Sequence, residues 1–248
     1  MSLESLYLFH TRPDPQRLAA WAARRRLLDS QGDLGYALHA LLHAAFGADA
    51  PQPFRYIDAD QGLLAYSQVN AAELAQRAAL ADPDVAAALG LAQTLHSPGL
   101  SVRPFPTTWA PGHELGFEVR SRPIIREGKS GRERDAFLVA VEKSPDVEMD
   151  RSAVYVQWLR EALARQGGAD LIDANVVRYQ LLGVARRSQR GGEDVARQSR
   201  LVTGPDVVFS GQLRVKDSQA FSQLLAKGLG RHRAFGFGLL MLRSARAD

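Results

Sequence analysis

The sequence predicts an α+β protein in which the order strand–helix–strand–strand–helix–strand runs twice, and three features of its 248 residues carry that prediction. Short alternating apolar runs are bounded by Asp, Gly and Pro turns. Between them lie longer stretches with apolar residues at helical spacing. The proline-containing segment Thr107 to Pro111 then separates two rounds of the same order. That order is the ferredoxin-like (RRM-like) pattern, with helices on one face of an antiparallel sheet. The expected architecture is tandem ferredoxin-like domains over 1-106 and 112-248.

In the first round, Leu3 to His10 reads as a strand and Pro15 to Leu28 as a helix. Gly32-Asp33 introduces a second helix over Leu34 to Phe46, so that one extra helix stands after the first strand. Phe54 to Ile57 and Leu63 to Ser67 are short strands around an Asp-Ala-Asp-Gln-Gly turn. Ala71 to Leu91 is helical with a break at Asp82-Pro83, and Ser101 to Phe105 is the fourth strand. In the second round, Leu115 to Arg120 and Ala136 to Val141 alternate as strands around a basic turn. Ser152 to Arg165 is an amphipathic helix, and Val176 to Ala185 pairs with Val207 to Val215 around a basic loop, 186–200. Asp217 caps a helix through Ala226 that Gly228 ends, and Phe237 to Leu242 closes as the last strand.

Hydrophobic residues make up 46% and charged residues 23%, ordinary for a soluble globular chain. There are no cysteines, which removes disulfides and thiolate metal sites. No apolar run approaches a membrane span and no signal segment opens the chain, so a cytoplasmic protein is expected.

The net charge of +4 is small but unevenly placed. Segments 120–134, 178–200 and 227–246 carry +4, +4 and +5, so the rest of the chain is acidic. Concentrated positive charge on an acidic body is the footprint of a nucleic-acid binder. Only Lys129, Lys143, Lys216 and Lys227 are lysines, and arginine forks suit phosphate oxygens. A codon bias toward arginine would explain the preference for arginine but not its clustering. The most distinctive stretch is Gly228-Leu229-Gly230-Arg231-His232-Arg233-Ala234-Phe235-Gly236-Phe237-Gly238, where glycines permit close backbone approach and Arg231 and Arg233 favour an anion. It lacks the Gly-Lys-Ser/Thr ending of a nucleotide phosphate loop and follows a helix instead of opening one.

On the helix Leu34 to Phe46, Leu34, Leu38, Leu41, Leu42 and Ala45 gather within roughly 100° as a core stripe. Tyr36, His39, His43 and Phe46 fall on the adjacent face. A phenol and an imidazole three residues apart are within mutual reach and could serve one reaction centre. The same spacing also describes surface histidines beside a packing aromatic. His39 and His43 have zinc-like spacing, but Ala40 stands where a His-Glu-x-x-His motif has its glutamate, and no third ligand is evident. No metal site and no cofactor are therefore expected. A nuclease built from these residues would use the RNA's own 2′-hydroxyl as nucleophile, with histidine, tyrosine and arginine moving protons and balancing charge.

The run Val208-Phe209-Ser210-Gly211-Gln212-Leu213-Arg214-Val215-Lys216-Asp217, followed by Phe221 and the glycine-rich stretch, resembles the C-terminal signature of the CasE family of CRISPR precursor-RNA endoribonucleases. Gly116-Phe117-Glu118-Val119-Arg120-Ser121-Arg122-Pro123 is similar to the family's aromatic-x-x-Arg-x-x-Pro strand end, and Tyr155-Val156-Gln157-Trp158-Leu159 to its tryptophan-containing helix. Gly35-Tyr36-Ala37-Leu38-His39 falls where the family has its Tyr-x-x-His pair.

The resemblance implies cleavage at the base of a CRISPR repeat stem-loop without metal, 2′,3′-cyclic phosphate and 5′-hydroxyl ends, retention of the product and partnership with other subunits of a CRISPR effector complex. It makes His39 the general acid or base and Tyr36 its partner. Arg120, Arg122, Arg126 and Lys129 would grip the stem, the loop with Arg186, Arg187 and Arg190 would flank it, and Arg231 and Arg233 would touch RNA. The extra helix, whose Arg24, Arg25 and Arg26 are further expected RNA contacts, departs from many relatives and points to a divergent branch in which Arg24 or Arg243 shares catalysis. The competing readings are an RNA-binding subunit that does not cleave and a DNA-binding regulator of the same fold.

Overall fold

A computed structural model describes residues 3–28, 34–94, 97–128, 131–187 and 199–245. The first sheet holds β1 (Leu6–Thr11), β2 (Phe54–Tyr56), β3 (Leu63–Ser67) and β4 (Ser101–Phe105) in the order β2-β3-β1-β4, all antiparallel. The second holds β5 (Glu114–Ser121), β8 (Ala169–Arg187), β9 (Ser199–Val215) and β10 (Leu240–Ser244) in the order β10-β5-β9-β8. In both sheets the first and third strands are central and the second and fourth are edges. The protein is thus an α+β molecule of tandem ferredoxin-like construction.

Local chemistry sets the helix ends. The Asp14 carboxylate accepts the N–H groups of Gln16 and Arg17 at the start of α1 (Pro15–Arg24), whose first residue is the proline that position favours. After α2 (Gly35–Phe46), Asn70 caps α3 (Ala71–Leu80) and Asp82-Pro83 opens α4 (Pro83–Leu89), which is the break expected at that dipeptide. In the second half Asp150 caps α6 (Arg151–Gln166) and Asp217 caps α7 (Ser218–Lys227). The added helix between the first two strands is present as α1 followed by α2.

One element differs in kind. Ala136 to Val141, expected as a strand, is the helix α5 (Ala136–Lys143). A short apolar run fits either period, and the Asp135 carboxylate decides it by accepting the Phe137 N–H. The extended chain lies just before it, as the hairpin of β6 (Ile124–Arg126) and β7 (Glu133–Asp135). β8 begins earlier than expected, and two register shifts, between Leu171 and Asp173 and between Val176 and Arg178, interrupt its pairing with β9. β10 begins at Leu240 because Gly236 and Gly238 hold φ of +84° and +82°, which extended chain does not adopt.

One buried cluster fills the first half around Phe9, Leu38, Leu42 and Leu89. Phe46, expected beside the histidines, belongs to it: its ring is 1% exposed and meets Phe9 edge-on at 5.5 Å. A second cluster joins the halves, with Leu6 and Tyr66 packing among Phe117, Leu159, Phe209 and Leu240. Tyr66 donates its hydroxyl to the Leu240 carbonyl at 2.9 Å, and Arg55 of β2 pairs with Glu118 of β5 at 2.6 Å. No helix among the described residues is long and apolar enough to cross a membrane.

Candidate functional site

The core stripe of α2 fixes the direction of its other face. With Leu38, Leu41 and Leu42 buried, Tyr36 and His39 are left half-buried and His43 exposed. The Tyr36 and His39 rings lie 6.4 Å apart, and the His39 and His43 rings 4.5 Å apart. The i, i+3, i+4 reach of one helical face produces this trio.

A third aromatic closes over it from the far end of the chain. Phe235 stacks on Tyr36 at 5.8 Å and 29°, and meets His39 edge-on at 5.3 Å and 71°. Burial, and then the charge of His43, lower the His39 pKa from 6.5 to about 4. At neutral pH His39 is therefore an uncharged imidazole, with a ring nitrogen able to accept a proton.

The glycine-rich segment holds Phe235 in place through its backbone. Leu229 N–H donates to the Gly238 carbonyl at 2.8 Å, and Gly238 N–H to the Arg120 carbonyl at 2.7 Å. Between these ties the chain makes a 3-10 turn, Arg233–Phe235, in which Phe235 N–H bonds the His232 carbonyl at 2.8 Å. A side chain at Gly238 would run into the Leu229 carbonyl oxygen. Arg231 and His232 both engage Glu133 of β7 at 2.8 Å, and Arg233 donates to the Lys227 carbonyl at 2.7 Å. A cleft of about 700 Å³ opens beside this turn, lined among others by Gln52, Gln68, Lys227, Arg231 and Arg233.

The arginines expected to bind a ligand separate into distinct environments. Arg231 and Arg233 are exposed on the glycine-rich turn, and Arg126 is exposed at the end of β6. Arg120 and Arg122 do not present themselves to solvent as expected. Arg120 forks onto the fully buried Asp206, with Nε to Oδ1 at 2.8 Å and Nη2 to Oδ2 at 2.9 Å, while its guanidinium lies 4.3 Å from the Phe237 ring. Arg122 is 1% exposed and donates to the Leu182 carbonyl at 3.3 Å. Two residues apart on an extended chain, they share one face, and that face is covered by Phe237. Burial pushes the Asp206 carboxyl pKa up, but the Arg120 hydrogen bonds and charge outweigh it and hold the group below the usual carboxylate value.

Arg24 pairs with Asp84 of α4 at 3.1 Å, and Arg25 lies 4.2 Å from the Trp21 ring. Arg26 is exposed. Arg243 bonds Ser210 Oγ at 2.6 Å on the second sheet. The bonds described for Arg24 and Arg243 go to Asp84 and Ser210. Arg186 and Arg187 end the described part of β8, opposite Arg200 and Ser199, while Lys129 and Arg190 lie outside the described residues. Among the described residues no three His, Asp or Glu side chains gather as a metal-binding group.

Sequence reading assigned no role to Phe235, Glu133 or Asp206. Phe235 had a signal, an aromatic set among glycines. The acidic pair had none, because their partners lie far along the chain.

Comparison with known proteins adds four findings. A protein-family model described as "CRISPR associated protein" matches residues 6–244. The CRISPR-associated endoribonuclease Cse3 of Thermus thermophilus is 29% identical over 167 residues, covering 60% of this chain and 70% of that protein. Among solved structures, the CRISPR endoribonuclease Cse3 bound to 19-nt RNA is similar with a TM-score of 0.62 at 21% identity, over 96% of this chain and 99% of that one. A chain of a CRISPR RNA-guided surveillance complex in a pre-nicking state is similar with a TM-score of 0.54 at 18% identity, over 96% of this chain and 100% of that one.

Proposed function

The chain belongs to the CRISPR-associated protein family, and from that premise we propose that it is an endoribonuclease that cleaves CRISPR repeat stem-loops in precursor RNA. The observation that carries the proposal is the neutral His39, held beside Tyr36 and under Phe235. The names of its relatives, an endoribonuclease and a structure with bound RNA, support the same substrate class.

In the proposed reaction, His39 accepts the proton of the 2′-hydroxyl at the scissile nucleotide. The 2′-oxygen attacks the adjacent phosphorus, the bond from phosphorus to the 5′-oxygen breaks, and the leaving oxygen takes up a proton from the Tyr36–His39 pair. The products are a 2′,3′-cyclic phosphate and a 5′-hydroxyl. Positioning in line and positive charge on the crowded phosphate supply the rest, so no step calls for a metal. Arg231 and Arg233 are the nearest exposed cations on the turn that carries Phe235. Arg126, Lys129 and the loop carrying Arg186, Arg187 and Arg190 grip the stem. Arg120 and Arg122 act from inside, by shaping the second sheet. Retention of the cleaved RNA would let the protein carry it into an effector complex with other subunits, a role that the likeness to a surveillance-complex chain supports.

Cognate repeat RNA incubated with the protein in EDTA tests this directly. The expected result is one cut, blocked by a 2′-deoxy nucleotide at the scissile position and abolished by His39→Ala while binding persists. Intact RNA at saturating protein would leave an RNA-binding subunit that does not cleave. Cutting undiminished in His39→Ala would move the chemistry to other residues.

A further inference from the structure

We propose that the Glu133–His232 pair is a positioning device that holds Phe235 against Tyr36 and His39 and ties the β6–β7 hairpin to the catalytic helix. The inference rests on the endoribonuclease reading for its consequence, but its geometry stands independently of it.

Glu133 is buried on β7, with a side chain only 4% exposed, and a carboxylate in that position must be compensated on the spot. Both of its oxygens are engaged by adjacent residues of one turn: Arg231 Nε meets Oε1 and His232 Nε2 meets Oε2, each at 2.8 Å. The His232 ring is 3% exposed, lying 6.3 Å from Phe235 and 6.5 Å from Phe237.

The backbone of His232 gives the second, independent sign. Its φ is +60°, in the left-handed region that residues other than glycine uncommonly occupy. Such a conformation persists only where surrounding contacts over-determine it, and here the side chain is fixed at its far end by Glu133. The consequence falls on the next residues. His232 opens the 3-10 turn and accepts the Phe235 N–H, so the orientation of His232 sets where the Phe235 ring lands. That ring lands on Tyr36 and His39 and contributes to the burial that keeps His39 uncharged.

The other end of the device lies on the hairpin. Glu133 is the register partner of Arg126 in the β6–β7 ladder, and Arg126 is exposed. A phosphate held by Arg126 would therefore sit one cross-strand pair away from the carboxylate that orients the turn. Stem recognition and the shell around His39 share one short path: Arg126 to its cross-strand partner Glu133, Glu133 to His232, His232 to Phe235, Phe235 to His39. Arg231, at the edge of the same cluster and 43% exposed, is shared between Glu133 and the open cleft.

The test uses two readouts, one of which needs no RNA. In the RNA-free protein, the His39 ring is titrated by NMR in wild type, Glu133→Ala, Glu133→Gln, His232→Asn and Phe235→Ala. With RNA, single-turnover cleavage of the cognate repeat hairpin at saturating protein is compared with affinity for the same hairpin carrying a 2′-deoxy scissile nucleotide. Glu133→Ala should move the His39 midpoint up from about 4 toward 6.5. It should also slow cleavage on the order of 10- to 100-fold, the scale of a small misplacement, with affinity changed by less than about threefold. Glu133→Gln, which keeps an acceptor for one of the two donors, should recover part of both effects. Phe235→Ala should reproduce the midpoint shift, and combining it with Glu133→Ala should add little, because the two act in series. His232→Asn keeps a residue that tolerates the left-handed backbone but shortens the reach to Glu133, so it tests the pair even where Glu133→Ala fails to fold. An unchanged His39 midpoint in the folded Glu133 and His232 variants, or cleavage that falls only in step with affinity, would overturn the proposal. Absence of cleavage by the wild type would instead remove the enzymatic reading, while the titration still decides the clamp.

Discussion

Replacing His43 with glutamine should raise the pH at which His39 takes up its proton, yet leave it well short of an ordinary imidazole. His39 is lowered from 6.5 to about 4, first by burial and second by the nearby charge of His43. At pH 7 a group with that pKa is protonated in about one molecule in a thousand, against about a quarter for an ordinary histidine. Glutamine removes the smaller cause and leaves the burial under Phe235 intact. It should therefore recover less than half of the lowering, placing the midpoint below roughly 5.3. NMR of ring-labelled histidine in the RNA-free protein reads this directly, with His39→Gln assigning the signal. The sign for stability follows from the same shift. The unfolded chain takes up this proton near 6.5 and the folded protein only near 4, so stability from His39 is whole above pH 6.5 and falls as pH drops toward 4. A His43→Gln midpoint of 6 or above, or a wild-type midpoint near 6.5, would refute the claim that burial is the larger cause.

Three further outcomes are expected. Asp206→Ala leaves Arg120 buried without the carboxylate it forks onto and should cost about 3–5 kcal/mol in urea denaturation, with Asp206→Asn costing less; a loss below about 1 kcal/mol would contradict the buried-pair account. Gly238→Ala combines a φ of +82° with a collision at the Leu229 carbonyl oxygen, so it should destabilise by about 2 kcal/mol or more and slow cleavage; a variant as stable and active as wild type would count against this backbone anchor. Arg126→Ala should weaken binding of the repeat hairpin with little change in the single-turnover rate at saturation, and lower the salt slope of log K by about 1; an unchanged slope would remove Arg126 from the phosphate contacts.

Most of the architecture was legible because it rests on local signals. Asp14, Asn70, Asp82, Asp150 and Asp217 each cap a helix, and the segments read as strands at Leu63 to Ser67 and Ser101 to Phe105 are β3 and β4. Ala136 to Val141 misled because a short apolar run carries no decisive period, and the hydrogen bond that settles it comes from a single preceding aspartate. Charge clustering located basic segments but not the direction of their side chains. Arg126 is exposed while Arg120 and Arg122, a few residues earlier, are covered by Phe237 and held by Asp206 and the Leu182 carbonyl. The Tyr36–His39 face was readable from helical spacing. Its completion was not, because Phe235 meets it, and Glu133 meets His232, only through the tertiary fold, and no spacing rule joins residues so far apart.

The placement of Phe235 also bears on when the site comes into being during synthesis. The ribosome makes α2 well before the glycine-rich segment. A nascent N-terminal half can fold its sheet and helix around Phe9 and Leu38, but its histidine stays open to water on the side that Phe235 later covers. The covered form of the site is thereby deferred until the turn at Gly228 to Gly238 has emerged and closed on itself. A polysome-bound fragment that already displays Tyr36 and His39 still lacks the ring that packs against both.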